Sequence, residues 1–164
     1  MRVRPIEERD RAWIGEALEA QLGGRRQARR GRVDDVSILP GFIAEEEDGR
    51  PVGLVTLRFE NDEMEVAALL ALDQWRGAGT ALLGAARREA ERAGCRRAWL
   101  ITTNDNVDAI RFYQRRGWDW VALHRDAVAE SRRLKPELGD VGSYGIPIRH
   151  ELEFEQTIDR QSIV

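Results

Sequence analysis

The residues Arg76-Gly77-Ala78-Gly79 place two glycines one residue apart, just before a helical pattern begins. Glycine inside a helix costs roughly 1 kcal/mol relative to alanine, so the pair weakens the first turn. A helix N-terminus, however, exposes unpaired N–H groups and a partial positive charge, which together make an anion site. Glycines there let a phosphate approach the backbone, and Arg76 adds a fixed charge. Two familiar phosphate motifs do not fit. A P-loop needs Lys-Ser or Lys-Thr after its last glycine, and the dinucleotide fingerprint needs glycine or alanine where Leu82 stands. For these four residues alone, the alternative is a strand-to-helix turn that merely uses glycine.

A second constellation is NDNVDAIRFYQRRGW, Asn104 to Trp118. Asn106, Ala109, Ile110, Tyr113 and Gly117 have the spacing of one helix and its stop, with Asn106 and Tyr113 on a shared face two turns apart. Other candidates carry less. His124 and His150 lack ligand-spaced partners, which argues against a metal site. Ser131 and Ser143 have no nucleophile-elbow context, and Cys95 follows a helix stop as a packing residue. Arg25, Arg26, Arg29, Arg30 and Arg32 crowd into GRRQARRGR, either a solvated loop or a surface for an acidic acceptor.

Elements to position these residues can be read from the periodicities. MRVRPI predicts a first strand, and Trp13, Ile14, Ala17, Leu18 and Leu22 predict an amphipathic helix. Residues 23–40 read as loop. GFIAEEE and PVGLVTLRF meet across Asp48-Gly49, and Asn61-Asp62 turns the chain into Glu63–Leu72, giving an antiparallel meander. Leu82, Leu83, Ala86, Ala90 and Ala93 form a helix face stopped by Gly94. RRAWLIT is a strand, 107–116 a helix ended by Gly117, and WDWVAL another strand. A short helical pattern (Ala127, Val128, Ser131, Leu134) and a Gly-rich loop precede the last strand, HELEFEQ. The fold class is α+β, a mixed, twisted, mostly antiparallel sheet with a parallel strand-helix-strand crossover.

With 164 residues, 42% hydrophobic and 34% charged, the chain reads as a single globular domain. It has no apolar run near the ~20 residues of a membrane span, and its N-terminus lacks the apolar core of a signal peptide. A single cysteine suits a reducing cytoplasm, and a net charge of −3 argues against a general nucleic-acid binder.

In their order and separation, the two motifs resemble those of the GNAT superfamily of acyl-CoA N-acyltransferases. Its pyrophosphate loop, Arg/Gln-x-x-Gly-x-Gly/Ala, is matched by Arg76, Gly79 and Ala81. Its following helix, Asn-x-x-Ala-x-x-x-Tyr-x-x-x-Gly-Phe, is matched by Asn106, Ala109, Tyr113 and Gly117, with Trp118 replacing Phe. The resemblance covers residues 3–124 and the last strand. It implies an acyl-CoA N-acyltransferase fold, one N-acetyltransferase domain over 1–164 with an insertion at 125–147, and acetyl-CoA as cosubstrate without a metal.

The resemblance also implies roles. Diphosphate would sit on the amides of Gly77, Ala78, Gly79 and Thr80, between Arg76 and Ala81. An N–H near Leu70 or Ala71 would polarise the thioester carbonyl, and Asn106 and Ala109 would contact the coenzyme. An alkyl ammonium, with a pKa of about 10.4, must lose a proton before it attacks. Glu65, where family members carry an acid, would take it directly or through water; alternatively it is one of several acids at a solvated turn. Tyr113 would protonate the departing thiolate; alternatively it is an aromatic core residue. The implied activity is direct acetyl transfer from acetyl-CoA to an amine in a ternary complex. A degenerate acetyl-CoA-binding sensor or scaffold is the alternative. The expected partners are acetyl-CoA and an amine acceptor, with no membrane or nucleic acid, and a homodimer is left open.

The segment from Arg125 to Pro147 is longer than the short hairpin expected between the last two strands. Arg132, Arg133 and Lys135 could face the arginine-rich segment 25–32, forming an acceptor pocket for an amine that carries a carboxylate or phosphate. A lid or dimer contact is the alternative.

Overall fold

A computed structural model describes residues 1–72 and 76–159. In chain order, the elements begin with β1 (Arg2–Pro5), α1 (Arg11–Leu22), β2 (Arg26–Arg29), β3 (Arg32–Asp35), β4 (Gly41–Glu45), β5 (Pro51–Glu60) and β6 (Glu63–Ala71). They continue with α2 (Ala78–Arg92), β7 (Arg97–Thr103), α3 (Val107–Arg115), β8 (Asp119–His124), α4 (Val128–Leu134) and β9 (Glu151–Thr157). Two compact units share these elements. One holds Met1–Arg25, Asp35–Ala98 and the described residues from Thr157; the other holds Arg26–Asp34 and Trp99–Gln156. Among the described residues no helix is long and apolar enough to cross a membrane.

In the first unit β1, β4, β5 and β6 lie side by side, each pair antiparallel. The turns are the expected ones. Gly49 closes the first at φ +83°, and Asn61 and Asp62 close the second at φ +51° and +57°, a left-handed pair suited to a tight hairpin. Ile14 and Leu18 of α1 pack with Val36, Ile43, Leu54 and Leu70 in a dry cluster. Each such fully buried aliphatic side chain contributes about 1.5–3 kcal/mol. Leu82, Ala86 and Ala90 are the buried stripe of α2. Gly53 makes room for that stripe, since a Cβ there would sit 3.0 Å from Leu82 Cδ1 and 2.7 Å from the Leu70 carbonyl oxygen. β6 carries a bulge: Thr56 pairs with Ala68 but Leu57 with Val66, so Ala67 is an extra residue.

In the second unit β7, β9 and β8 lie in that order, and β8 pairs antiparallel with β9. Phe154 is fully buried, stacked on Trp120 at 5.9 Å and tilted against Tyr113 at 5.7 Å. The segment expected as loop contains the paired strands β2 and β3. The turn that joins them is Arg30-Gly31, with φ +48° and +71°. Such a turn favours Asn-Gly, so an arginine in its first place hides the hairpin inside a charge cluster.

Candidate active site

The start of α2 has no side-chain cap from its own N-cap residue. Gly77, its N-cap, has φ +84°, and a Cβ there would meet nothing, so backbone conformation selects the glycine. Gly77 offers no side chain to cap the helix, whose first residues Ala78 and Gly79 are buried. The Ala81 N–H makes the first intrahelical bond, 3.0 Å to the Gly77 carbonyl. Ala81 is therefore spent as an anion donor, whereas the amides of Ala78 and Gly79 precede any intrahelical partner. Arg76 is largely exposed beside this turn, with Nη1 3.7 Å from Glu46 Oε1.

On β6, Glu65 is only 4% exposed and stands opposite Arg58, whose Nη1 donates to Glu65 Oε2 at 2.7 Å. It is thus not an acid at a solvated turn but a buried carboxylate gripped by a guanidinium. Counting back from Asn61-Asp62 pairs Glu60 with Glu63, Phe59 with Met64 and Arg58 with Glu65, a signal present in the sequence. The two candidate oxyanion donors also separate. Leu72 donates to the Val52 carbonyl at 2.8 Å, and an antiparallel ladder alternates bonded with non-bonded pairs. Leu70, opposite Leu54, therefore turns its N–H toward β5, while Ala71, opposite Gly53, turns its N–H away.

The start of α3 is closed. Asn106 is its N-cap: Oδ1 accepts from the Ala109 N–H at 3.4 Å, and Nδ2 donates to Thr102 Oγ1 at 3.2 Å. Both motif residues expected at the coenzyme are thereby engaged in fixing the helix. Further along, the Tyr113 ring meets Phe112 edge-on at 5.4 Å and tilts against Trp118 at 6.0 Å. Its hydroxyl has no hydrogen-bond partner among the described residues. Burial pushes the phenol pKa up to about 12. The aromatic-core reading holds for the ring and leaves the oxygen available.

The insertion is held by backbone-directed bonds. Arg132 donates to the carbonyls of Gly139 (2.9 Å) and Ile148 (2.6 Å), and Lys135 Nζ donates to that of Arg26 at 2.7 Å. These two cations, expected to face an acceptor, instead tie the segment together. Tyr144, at φ +58°, donates from its hydroxyl to Asp108 at 2.9 Å, and the Ser143 N–H donates to Asp105 Oδ2 at 3.1 Å. The arginine-rich hairpin and the insertion do meet. Glu151, 1% exposed, accepts the Arg30 N–H at 2.9 Å and the Ser131 hydroxyl at 3.4 Å. A cleft of about 660 Å³ opens there, between Arg30-Gly31 and the residues from His124 to Arg133. Among the described residues no group of three or more His, Cys, Asp or Glu could hold a metal ion.

The family model described as Acetyltransferase (GNAT) family matches residues 8–118. The chain belongs to this family. The GNAT assignment fits the α+β architecture, a mixed, mostly antiparallel sheet with helices. YdhI, an uncharacterized protein of Bacillus subtilis (strain 168), is 44% identical over 121 residues, covering 74% of this chain and 76% of that protein. A Bacillus subtilis acetyltransferase solved in complex with CoA superposes with a TM-score of 0.69 at 17% identity, covering 96% of this chain and 99% of that one. A putative acetyltransferase from Salmonella typhimurium, solved with its cofactor acetyl-CoA, gives 0.68 at 18% identity over 100% of this chain and 97% of that one. These structures share the GNAT fold with this chain.

Proposed function

We propose that the chain is an acetyl-CoA-dependent N-acetyltransferase that passes the acetyl group directly to an amine in a ternary complex. The observation that carries this reading is Tyr113, whose ring is fixed by aromatic neighbours while its hydroxyl has no described partner. A phenol with a pKa of about 12 stays protonated at neutral pH, so it can give a proton rather than take one. Acetyl-CoA supplies an acetyl group activated as a thioester. Gly77, Ala78, Gly79 and Thr80, at the start of α2 with Arg76 beside them, hold the diphosphate. The Ala71 N–H, turned away from β5, is the oxyanion donor. Glu65, already ion-paired, receives the proton lost by the attacking amine through water, and Tyr113 protonates the leaving sulfur. Asn106 and Ala109 contribute as the cap that fixes α3. The buried thiol of Cys95 suits a reducing cytoplasm.

One observation favours the alternative of a coenzyme-binding sensor without turnover: the Glu65 carboxylate already accepts from Arg58 at 2.7 Å, so one of its oxygens is committed to holding the strand pair. Initial rates with acetyl-CoA and amine both varied decide between them. Intersecting reciprocal plots are expected for direct transfer. Parallel plots contradict the ternary complex, and coenzyme binding without thiol release for any amine favours the sensor.

A further inference from the structure

The cleft between the β2–β3 turn and the insertion has charged walls, and its three arginines are held only by long ion pairs. Several cationic side chains elsewhere in this unit are bonded tightly, Arg29 to Asp34 at 2.7 Å, Arg132 to two carbonyls, Lys135 to a carbonyl and Arg149 to Asp126 at 3.0 Å, while the pairs Arg32–Asp34 (3.5 Å) and Arg111–Asp108 (3.7 Å) are longer. In the cleft, Arg30 lies 3.9 Å from Glu151, Arg125 lies 3.9 Å from Asp126, and Arg133 lies 3.7 Å from Glu130. These separations allow attraction but exceed hydrogen-bond length. The three guanidiniums therefore keep fork-shaped donor pairs that match a carboxylate or phosphate.

The carboxylates and the histidine that face them are largely committed. Glu151 accepts from the Arg30 N–H and the Ser131 hydroxyl, Asp126 is bonded to Arg149, and His124 Nε2 lies 3.1 Å from Glu153 Oε1. Glu130 alone of the lining acids has only the long pair, so an anion entering the cleft gains more donors than it meets uncommitted carboxylates. A volume of about 660 Å³ is that of a small-molecule site rather than of one bound ion.

We infer that this cleft recognises the carboxylate or phosphate of a small amine acceptor, with Arg30, Arg125 and Arg133 as its hydrogen-bond donors. This rests on the acetyltransferase reading and specifies its substrate class. It also moves the expected contacts away from Arg132 and Lys135, which serve the fold.

The test uses the full chain with acetyl-CoA and matched acceptors: β-alanine against propylamine for the carboxylate, and phosphoethanolamine against ethanolamine for the phosphate. Wild type should prefer the anionic member of at least one pair by tenfold or more in kcat/KM, and the preferred pair identifies the anion. Arg125→Gln and Arg133→Gln change exposed side chains, so the fold should survive both. Each should raise KM for that anionic acceptor about tenfold, leaving kcat, the neutral acceptor and the acetyl-CoA melting shift unchanged. No preference in either pair, or an equal loss on charged and neutral acceptors, overturns the inference. A second arm needs no turnover: the two anionic amines should raise the wild-type melting temperature and fail to raise that of the double variant. Stabilisation of wild type but not of the double variant, without turnover of either anionic amine, supports anion binding by the cleft and overturns its assignment to the acceptor, whereas the acetyltransferase reading falls only if no amine releases thiol. Absence of stabilisation by both amines, or equal stabilisation of the double variant, overturns the cleft.

Discussion

Helices α2 and α3 both begin on a motif that the sequence associates with the coenzyme, and the two starts are built in opposite ways. α2 starts on Gly77 in a left-handed conformation, an N-cap with no side chain to fold back onto the first turn. α3 starts on Asn106, whose Oδ1 accepts from the Ala109 N–H and whose Nδ2 reaches Thr102. A capped start has used its side-chain oxygen on its own backbone, whereas an uncapped start keeps amides and dipole for an external anion. On the proposed reading similar motif positions do different work: α2 would bind the coenzyme, while α3 is fixed by its cap so that Tyr113 is held in place.

The largest effect expected to sharpen this contrast comes from α3 and falls on chemistry alone. Tyr113→Phe keeps the aromatic packing and removes the donor, so kcat should fall about 10²-fold with acetyl-CoA affinity unchanged. An equal loss in binding would break the division of labour. The same residue has a pH signature. Its folded pKa of about 12 lies above the ordinary tyrosine value of about 10, so the folded state retains a proton that the unfolded chain releases. The stability that this phenol contributes is therefore whole below pH ~10 and is lost as pH rises toward ~12. Absorbance titration should show the highest tyrosine transition disappearing in Tyr113→Phe.

Next in size is the buried carboxylate of β6. Glu65→Gln should lower turnover most at low pH, where the acceptor amine is most protonated, and by about tenfold or more. A pH-independent loss would instead mark a purely structural partner of Arg58. The smallest effect belongs to the cap. Asn106→Ala should cost about 1 kcal/mol of stability, about 2–4 °C in melting temperature for a chain of this length.

Much of the fold was legible because its signals are local. Gly49, Asn61-Asp62, Gly94 and Gly117 punctuate the chain where left-handed backbone is needed, and the apolar periods of α1 and α2 match their buried faces except at Leu22 and Ala93, which are exposed at the helix ends. The β2–β3 hairpin was hidden because Arg30 occupies a turn position usually held by asparagine, between strands rich in charge. The grip of Arg58 on Glu65 was legible only by counting register from a turn. Arg132 and Lys135 were misread because their partners are backbone carbonyls, which every residue carries and no sequence pattern marks. Asn106 and Tyr113 were found as a pair, but a spacing of seven cannot separate a cap from a helical face.

The most direct test melts wild type, Gly79→Asp and Asn106→Ala with and without millimolar acetyl-CoA, each shift taken against the same variant alone. Saturation about a hundredfold above Kd adds about 2.7 kcal/mol, about 5–10 °C for a chain of this size. An aspartate in the first turn suits the helix dipole, so α2 should still form, while its carboxylate repels diphosphate. The account expects the full shift in wild type and Asn106→Ala and none in Gly79→Asp. A wild type indifferent to acetyl-CoA, or a shift kept by Gly79→Asp and lost by Asn106→Ala, would contradict it.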